Sequence, residues 1–174
     1  MRGSALATLA ELDLQICATC NRMSSRFLLR LFVEVSRLGN GRFWYGLMIL
    51  LPAFFGTRGT EASLRMLLVG VVCLALYRWI KRTTARPRPY QADLAITRRA
   101  RALDPYAFPS GHTLHAVAFT LVVLPTCPEL AWLLVPFTLL VAISRVVLGL
   151  HYPSDVLAGA ALGATVALTA VQIG

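Results

Sequence analysis

Three short polar clusters interrupt an otherwise apolar chain, and they hold the residue types that act on anions. The last of them reads Ser-Arg-Val-Val-Leu-Gly-Leu-His-Tyr-Pro-Ser-Asp from Ser144 to Asp155. Arg145 can hold an anion, His151 can attack it, and Asp155 can set the orientation and tautomer of the imidazole. Taken alone, a His and an Asp four residues apart form a helix-end contact more often than a catalytic pair. Pro153 suits a first helical turn, where its missing N–H would be unpaired anyway.

Two upstream clusters change that balance. Pro109-Ser110-Gly111-His112 stands immediately before an apolar segment. Ser110 is a good N-cap, and the N–H groups of Ser110, Gly111 and His112 could converge on an anion favoured by the helix dipole. The alternative is an ordinary cap with an incidental histidine. Lys81-Arg-Thr-Thr-Ala-Arg-Pro-Arg88-Pro89 supplies further cations. Alone it would read as a solvated loop or a topology signal, but Pro87 and Pro89 stiffen the chain around Arg88, and charge by itself needs no rigidity. The three clusters together give cations for a tetrahedral oxyanion, backbone donors, two histidines and one carboxylate. They give no carboxylate cluster for magnesium or calcium, and the neighbouring cations oppose a dication held by His112, His115 and His151. No metal and no cofactor is expected.

These clusters lie at the ends of segments that read as membrane helices. Of 174 residues, 57% are hydrophobic and 14% charged, with a mean hydropathy of +0.66. That composition cannot cover a domain with a water-facing surface of ordinary polarity. The net charge of +9 would suggest nucleic acid in a soluble protein, but beside a bilayer it reads as contacts to lipid head groups, topology signals or substrate ligands. Seventeen residues are Lys or Arg, and the only Lys is Lys81. Nucleic acid is therefore not an expected partner.

Residues 5–38 have apolar positions at helical spacing interrupted by Glu11, Asp13, Arg22, Arg26, Arg30, Glu34 and Arg37, an amphipathic pattern with a break expected at Asn21 or Ser24-Ser25. Gly39-Asn40-Gly41 signals a turn. Residues 43–56, opening with the belt-like pair Trp44 and Tyr45, and residues 64–80 are two apolar runs shorter than the roughly 20 residues of an unaided span. Residues 81–110 leave the membrane. Residues 113–125, 131–144 and 156–173 are three further apolar segments. The expected fold is all-α, a polytopic membrane helix bundle of five to six transmembrane helices with an amphipathic N-terminal region, forming a single domain over residues 1–174.

If the segments alternate in direction, all three clusters share one side of the membrane. Gly159 and Gly163 form a GxxxG that suits either packing within the bundle or a dimer, so monomer and homodimer both stay open. Cys17 and Cys20, a lone CxxC at helical spacing, read as small helix residues rather than a zinc site. Residues 1–10 do not resemble a cleaved signal.

Lys81 with six residues before Arg88-Pro89, then Pro109-Ser110-Gly111-His112, then Ser144-Arg145 with five residues before His151 and three before Asp155, resemble the tripartite signature of the type 2 phosphatidic acid phosphatase superfamily. The resemblance implies a metal-independent phosphatase in a bundle of usually six helices. By it, His151 is the nucleophile that forms a phosphohistidine, Asp155 orients it, and His112 is first acid and then base. Lys81, Arg88, Arg145, Ser110 and the Gly111 amide are implied to hold the phosphoryl oxygens. The superfamily also contains soluble vanadium-dependent haloperoxidases, which this apolar composition disfavours.

The expected substrate is a membrane lipid phosphate, with polyprenyl diphosphate preferred over phosphatidylglycerol phosphate, phosphatidic acid or a lipid A phosphate. A catalytically silent lipid-binding protein is the alternative of another class. Residues 90–108, with Arg98, Arg99, Arg101 and Asp104, are either the head-group selector or a solvated loop, and His115 is expected to pack in the bundle. Localisation is expected in a bacterial inner membrane. The positive-inside rule would turn the site toward the cytoplasm, whereas the resemblance favours the periplasmic or exterior face.

Overall fold

The computed structural model describes residues 2–23 and 25–173, and every regular element among them is helical. In chain order these are α1 (Arg2–Met23), α2 (Arg26–Arg37), α3 (Phe43–Thr84), the short α4 (Pro89–Ala92), α5 (Gly111–Val123), α6 (Ala131–Val147) and α7 (Pro153–Ile173). Of the two expected break points, Asn21 lies inside α1, and the break falls beyond it, between α1 and α2. Ser25 caps α2 there, its hydroxyl accepting the Leu28 N–H at 3.3 Å. Ser24 lies outside the described residues. Gly39-Asn40-Gly41 forms a wide turn at Leu38–Arg42 with Gly41 at φ 105°.

Helix α3 is a hairpin of two arms. At Gly56 the backbone leaves the helical region (φ 56°, ψ −129°). The Ser63 hydroxyl then donates to the Met48 carbonyl at 2.8 Å. A Cβ on Gly59 would stand 1.9 Å from the Leu51 carbonyl oxygen, so only glycine lets the arms approach this closely. The two apolar runs around residues 43–56 and 64–80 are these arms.

Hydrophobic side chains cover the outside as well as the core. Trp44, Leu51, Met66, Leu114, Val122 and Leu134 are buried in one cluster, while Phe54, Leu68, Trp132 and Leu157 are exposed. Such a surface matches hydrocarbon rather than water. By length and composition three helical stretches can cross a membrane, Arg26–Ala92, Pro128–Val147 and Pro153–Ile173, with Gly111–Val123 apolar but shorter. Tyr45 is exposed as a belt residue would be. Trp44 is not: it is buried against Phe43, Phe119 and Phe137.

Two packing details position the site. Gly159 and Gly163 both face α5, where a Cβ would approach the carbonyl oxygens of Ser110 and Leu114 to 2.6 and 2.3 Å. The GxxxG is thus used inside the bundle, joining α7 to the helix that carries His112. Helix α1 is inverted, with Leu9, Leu12 and Ile16 exposed and Asp13, Cys17 and Asn21 buried. The buried positions recur every four residues, one stripe of the helix, and they meet the polar loops at the end of the bundle.

Candidate active site

The corner between α6 and α7 fixes Arg145 and His151 as a unit. Helix α6 ends with the Gly149 N–H bonded to the Val146 carbonyl (2.9 Å) and the Leu150 N–H to the Arg145 carbonyl (3.1 Å), a Schellman pattern with Gly149 at φ 71°. A Cβ there would lie 2.9 Å from Ile96 Cγ2 and 3.0 Å from the Thr97 carbonyl oxygen, so conformation and space both select glycine. The His151 N–H donates to the same Arg145 carbonyl at 3.1 Å. Pro153 then opens α7, as its residue type predicts.

His151 is buried. Its Nε2 lies 3.2 Å from an Arg88 Nη1 donor, and its Nδ1 lies 3.7 Å from Asp155 Oδ2. A guanidinium only donates, so Nε2 accepts and a neutral ring carries its proton on Nδ1, toward Asp155. Burial, followed by the charges of Arg145, Arg88 and Lys81, holds the His151 imidazole well below the ordinary histidine range.

Asp155 stands beside the ring but not in the hydrogen bond that orientation by a carboxylate would require. Nδ1 has no hydrogen-bond partner among the described residues. The carboxylate oxygens are engaged elsewhere: Oδ2 accepts the Tyr152 N–H at 2.8 Å and Oδ1 accepts from Arg86 at 2.7 Å. Arg86 also pairs with Asp13 at 2.9 Å and lies 4.0 Å over the Tyr152 ring. Asp13 in turn accepts the Ser154 N–H at 3.0 Å and the Ser154 hydroxyl. Helix α1 is thereby pinned to the start of α7, behind His151.

On the opposite flank, Asp104 organises the cations. Its Oδ1 accepts from Lys81 Nζ at 2.7 Å and from Arg88 Nη2 at 2.9 Å, while its carbonyl accepts from Arg88 Nε at 3.1 Å. Arg88 Nη1 also donates to the Leu150 carbonyl at 2.7 Å, and Lys81 to the Tyr106 carbonyl at 2.8 Å. The prolines around Arg88 hold it extended, and Gln91 receives its N–H at 2.9 Å. Arg145 is buried and donates to the Ser36 hydroxyl of α2, leaving its Nε without a partner.

The start of α5 differs in detail from the expected anion nest. Ser110 occupies the N-cap position, but its hydroxyl pairs with Thr113 at 3.0 Å and caps no backbone N–H. Its own N–H donates to the Asp155 carbonyl at 3.0 Å. That leaves Gly111 and His112, whose N–H groups lie in the first turn, where a helix has no internal acceptor for them.

One cavity of about 360 Å3 collects the groups. Lys81, Arg88, Asp104, Gly111, His112, Arg145 and His151 line its polar end, and Trp44, Met48, Met66, Gly70, Leu74 and Tyr77 continue it as an apolar groove between helices. Ser110 and Asp155 are buried behind the wall and do not line it. His115 packs edge-on to Tyr77 at 5.8 Å and near Phe119, and its ring borders the groove. Among the described residues no three His, Cys, Asp or Glu side chains gather as a metal-ligating group, and Cys17 and Cys20 form no disulfide.

Asp13, Ser36 and Arg86 belong to the site's support and were not singled out by sequence reasoning. Asp104 was named only within a loop of open purpose. The available signal was a charge inside an apolar pattern: Asp13 interrupts α1, and a carboxylate amid the arginines of residues 81–110 needs a cation to neutralise.

The model of the PAP2 superfamily matches residues 62–174, which include all three polar clusters, and the chain belongs to that superfamily. It is a lipid phosphatase, a hydrolase carried in a membrane. An undecaprenyl-diphosphatase of Sulfolobus acidocaldarius is 31% identical over 82% of this chain and 69% of its own length. The undecaprenyl-diphosphatase BcrC of Bacillus subtilis is 35% identical over 65% of this chain and 58% of its own length. The crystal structure of a transmembrane PAP2-type phosphatidylglycerolphosphate phosphatase from Bacillus subtilis superposes with a TM-score of 0.79 at 26% identity, covering 95% of this chain and 86% of that one. Aquifex aeolicus LpxE, at 23% identity and a TM-score of 0.73 over 92% and 95% of the two chains, shares the fold.

Proposed function

We propose that residues 1–174 act as one membrane-embedded domain that hydrolyses the terminal phosphate of a polyprenyl diphosphate through a phosphohistidine on His151. The observation that carries this reading is the single cavity in which three cations and two histidines meet the end of an apolar groove. His151 Nε2 attacks phosphorus, and the bond to the leaving oxygen breaks as His112 gives that oxygen a proton. His112 then takes a proton from water, which cleaves the P–N bond and releases inorganic phosphate. Lys81, Arg88 and Arg145, with the Gly111 N–H, neutralise and position the phosphoryl oxygens, the work that metal ions do in other phosphotransferases. The Ser110 hydroxyl joins them on turning from Thr113, and Asp155 stabilises the imidazolium from 3.7 Å.

The groove supports entry of the lipid sideways from the bilayer, with its head group at the depth of the helix ends. Five to six crossings with the site on the outer face of a bacterial inner membrane complete the proposal. The names of the two sequence relatives support the diphosphate. The Bacillus structure supports phosphatidylglycerol phosphate as the second reading. The test is phosphate release from these lipids in detergent with chelator present, comparing wild type with His151→Ala. Activity that survives the substitution, or that chelation abolishes, overturns the mechanism. Cysteine labelling in the loop of residues 90–108 tests the orientation.

A further inference from the structure

His112 borders a second cavity, of about 630 Å3, on its other flank. Arg37, Arg42, Arg99 and Arg101 line it, and no carboxylate does. Arg99 is held in place by its backbone N–H on the Leu148 carbonyl (3.2 Å) and by Nη2 on the Asn21 carbonyl (3.0 Å), while its buried Nε has no partner. Arg37 is engaged by Glu34 at 2.7 Å. Arg42 and Arg101 are exposed, with no ion-pair partner among the described residues. Asn40, Leu103 and His112 line both cavities, so the two spaces meet at the proton donor.

We infer that this arginine chamber is a second anion subsite, which holds the lipid-proximal phosphate of a diphosphate while the terminal phosphate reacts with His151. The inference rests on the proposed reaction and deepens its substrate assignment. A proton donor has to stand within hydrogen-bond reach of the leaving oxygen, which lies across the reacting phosphorus from the nucleophile, so the leaving group lies along His112. A lipid alcohol leaving there would be neutral and would give several guanidinium groups nothing to bind. A lipid monophosphate leaves as an anion rich in acceptor oxygens, and charge-assisted bonds from arginine match it. The balance is closed without a further reactant. The bridging oxygen keeps its bond to the proximal phosphorus and takes the proton from His112, the terminal phosphoryl group passes to Nε2, and water later frees it as inorganic phosphate. The junction at Asn40 and Leu103 keeps the lipid chain within reach of the apolar groove.

The test uses the full chain in detergent with farnesyl diphosphate and farnesyl monophosphate, which differ only in the second phosphate. The readout is the ratio of their kcat/KM values. In the double variant Arg42→Gln/Arg101→Gln the ratio is expected to fall about tenfold or more, two charge-assisted bonds being lost. The variant Arg42→Lys/Arg101→Lys, which keeps the charge, is expected to recover part of it. A ratio left unchanged overturns the subsite, whether both activities drop together, as arginines serving the bilayer or the fold would cause, or neither does. A wild type that hydrolyses only the monophosphate also overturns it. Wild type inert on both substrates removes the phosphatase reading itself.

Discussion

The two histidines of the site are held in opposite ways. His151 is surrounded: its N–H is bonded to Arg145, its Nε2 faces Arg88, and its Nδ1 stands beside Asp155. His112 rides on the first turn of α5, between two cavities, and its ring makes no hydrogen bond among the described residues. A nucleophile profits from being fixed, because a misplaced attacking atom loses the advantage of proximity. A group that protonates a leaving oxygen and later deprotonates water has two positions to serve, and a ring without fixed partners can serve both. The contrast teaches which proposed role each can fill, although both residues are imidazoles beside helix starts.

The sharpest way to break the contrast is to remove each ring in turn. His151→Ala is expected to abolish turnover by roughly four orders of magnitude or more and to leave no trappable phosphoenzyme, since the proposed mechanism passes the phosphoryl group to His151 Nε2 beside Arg88. His112→Gln is expected to lower kcat by about 10²- to 10⁴-fold, the usual range for a lost acid–base group. An aryl phosphate, whose leaving oxygen needs no proton, should recover most of the formation rate of the phosphoenzyme in rapid-quench measurements. If His151→Ala keeps a phosphoenzyme or aryl substrates fail to rescue His112→Gln, the roles are wrongly divided.

A smaller effect is expected at Asp104, on the clamped side. One carboxylate oxygen within 3 Å of both Lys81 and Arg88 occupies cations that the substrate phosphate would otherwise use. Asp104→Asn removes that competing charge. Inhibition by inorganic phosphate should tighten by about tenfold at the interaction strengths of partly buried charges, while kcat falls as the cations lose their common anchor. Inhibition constants that do not move would show Asp104 to be scaffolding alone.

The smallest effect is on the pH profile. Burial and the surrounding cations disfavour the His151 imidazolium, so its Nε2 lone pair persists below the ordinary value of about 6.5. As pH falls, kcat/KM should therefore hold past 6.5, and the loss that comes from protonating His151 should set in only below it. An acid limb set by His151 above 6.5 contradicts this arrangement.

Some of this was readable from residue order and some was not. Membrane helices are local objects, because apolar residues must be consecutive to cross hydrocarbon, so the runs around residues 113–125, 131–144 and 156–173 correspond to α5, α6 and α7. Spaced motifs are local too, which is why Lys81, Arg88, His112, Arg145 and His151 could be nominated together. The pairing of Asp104 with Lys81 and Arg88 has no such signature. Neither has the chain of contacts from Asp13 through Arg86 to Asp155, nor the burial of Trp44. Each joins elements far apart in sequence, and the same side chain is reasonable exposed or buried until its neighbours are known.

By itself, then, the order of residues determined the helical class, the apolar solvent the protein meets and the set of groups proposed to react, because hydrophobic runs and motif spacing act within a few turns of chain. Only the tertiary structure decided that Ser110 faces Thr113, that Asp155 is bound by Arg86 and Tyr152, and that α1 turns its polar stripe inward. Those outcomes depend on which donors and acceptors are brought within about 3 Å of each other, the range of a hydrogen bond. Helix packing sets that proximity, through approaches as close as those of Gly159 and Gly163 to α5.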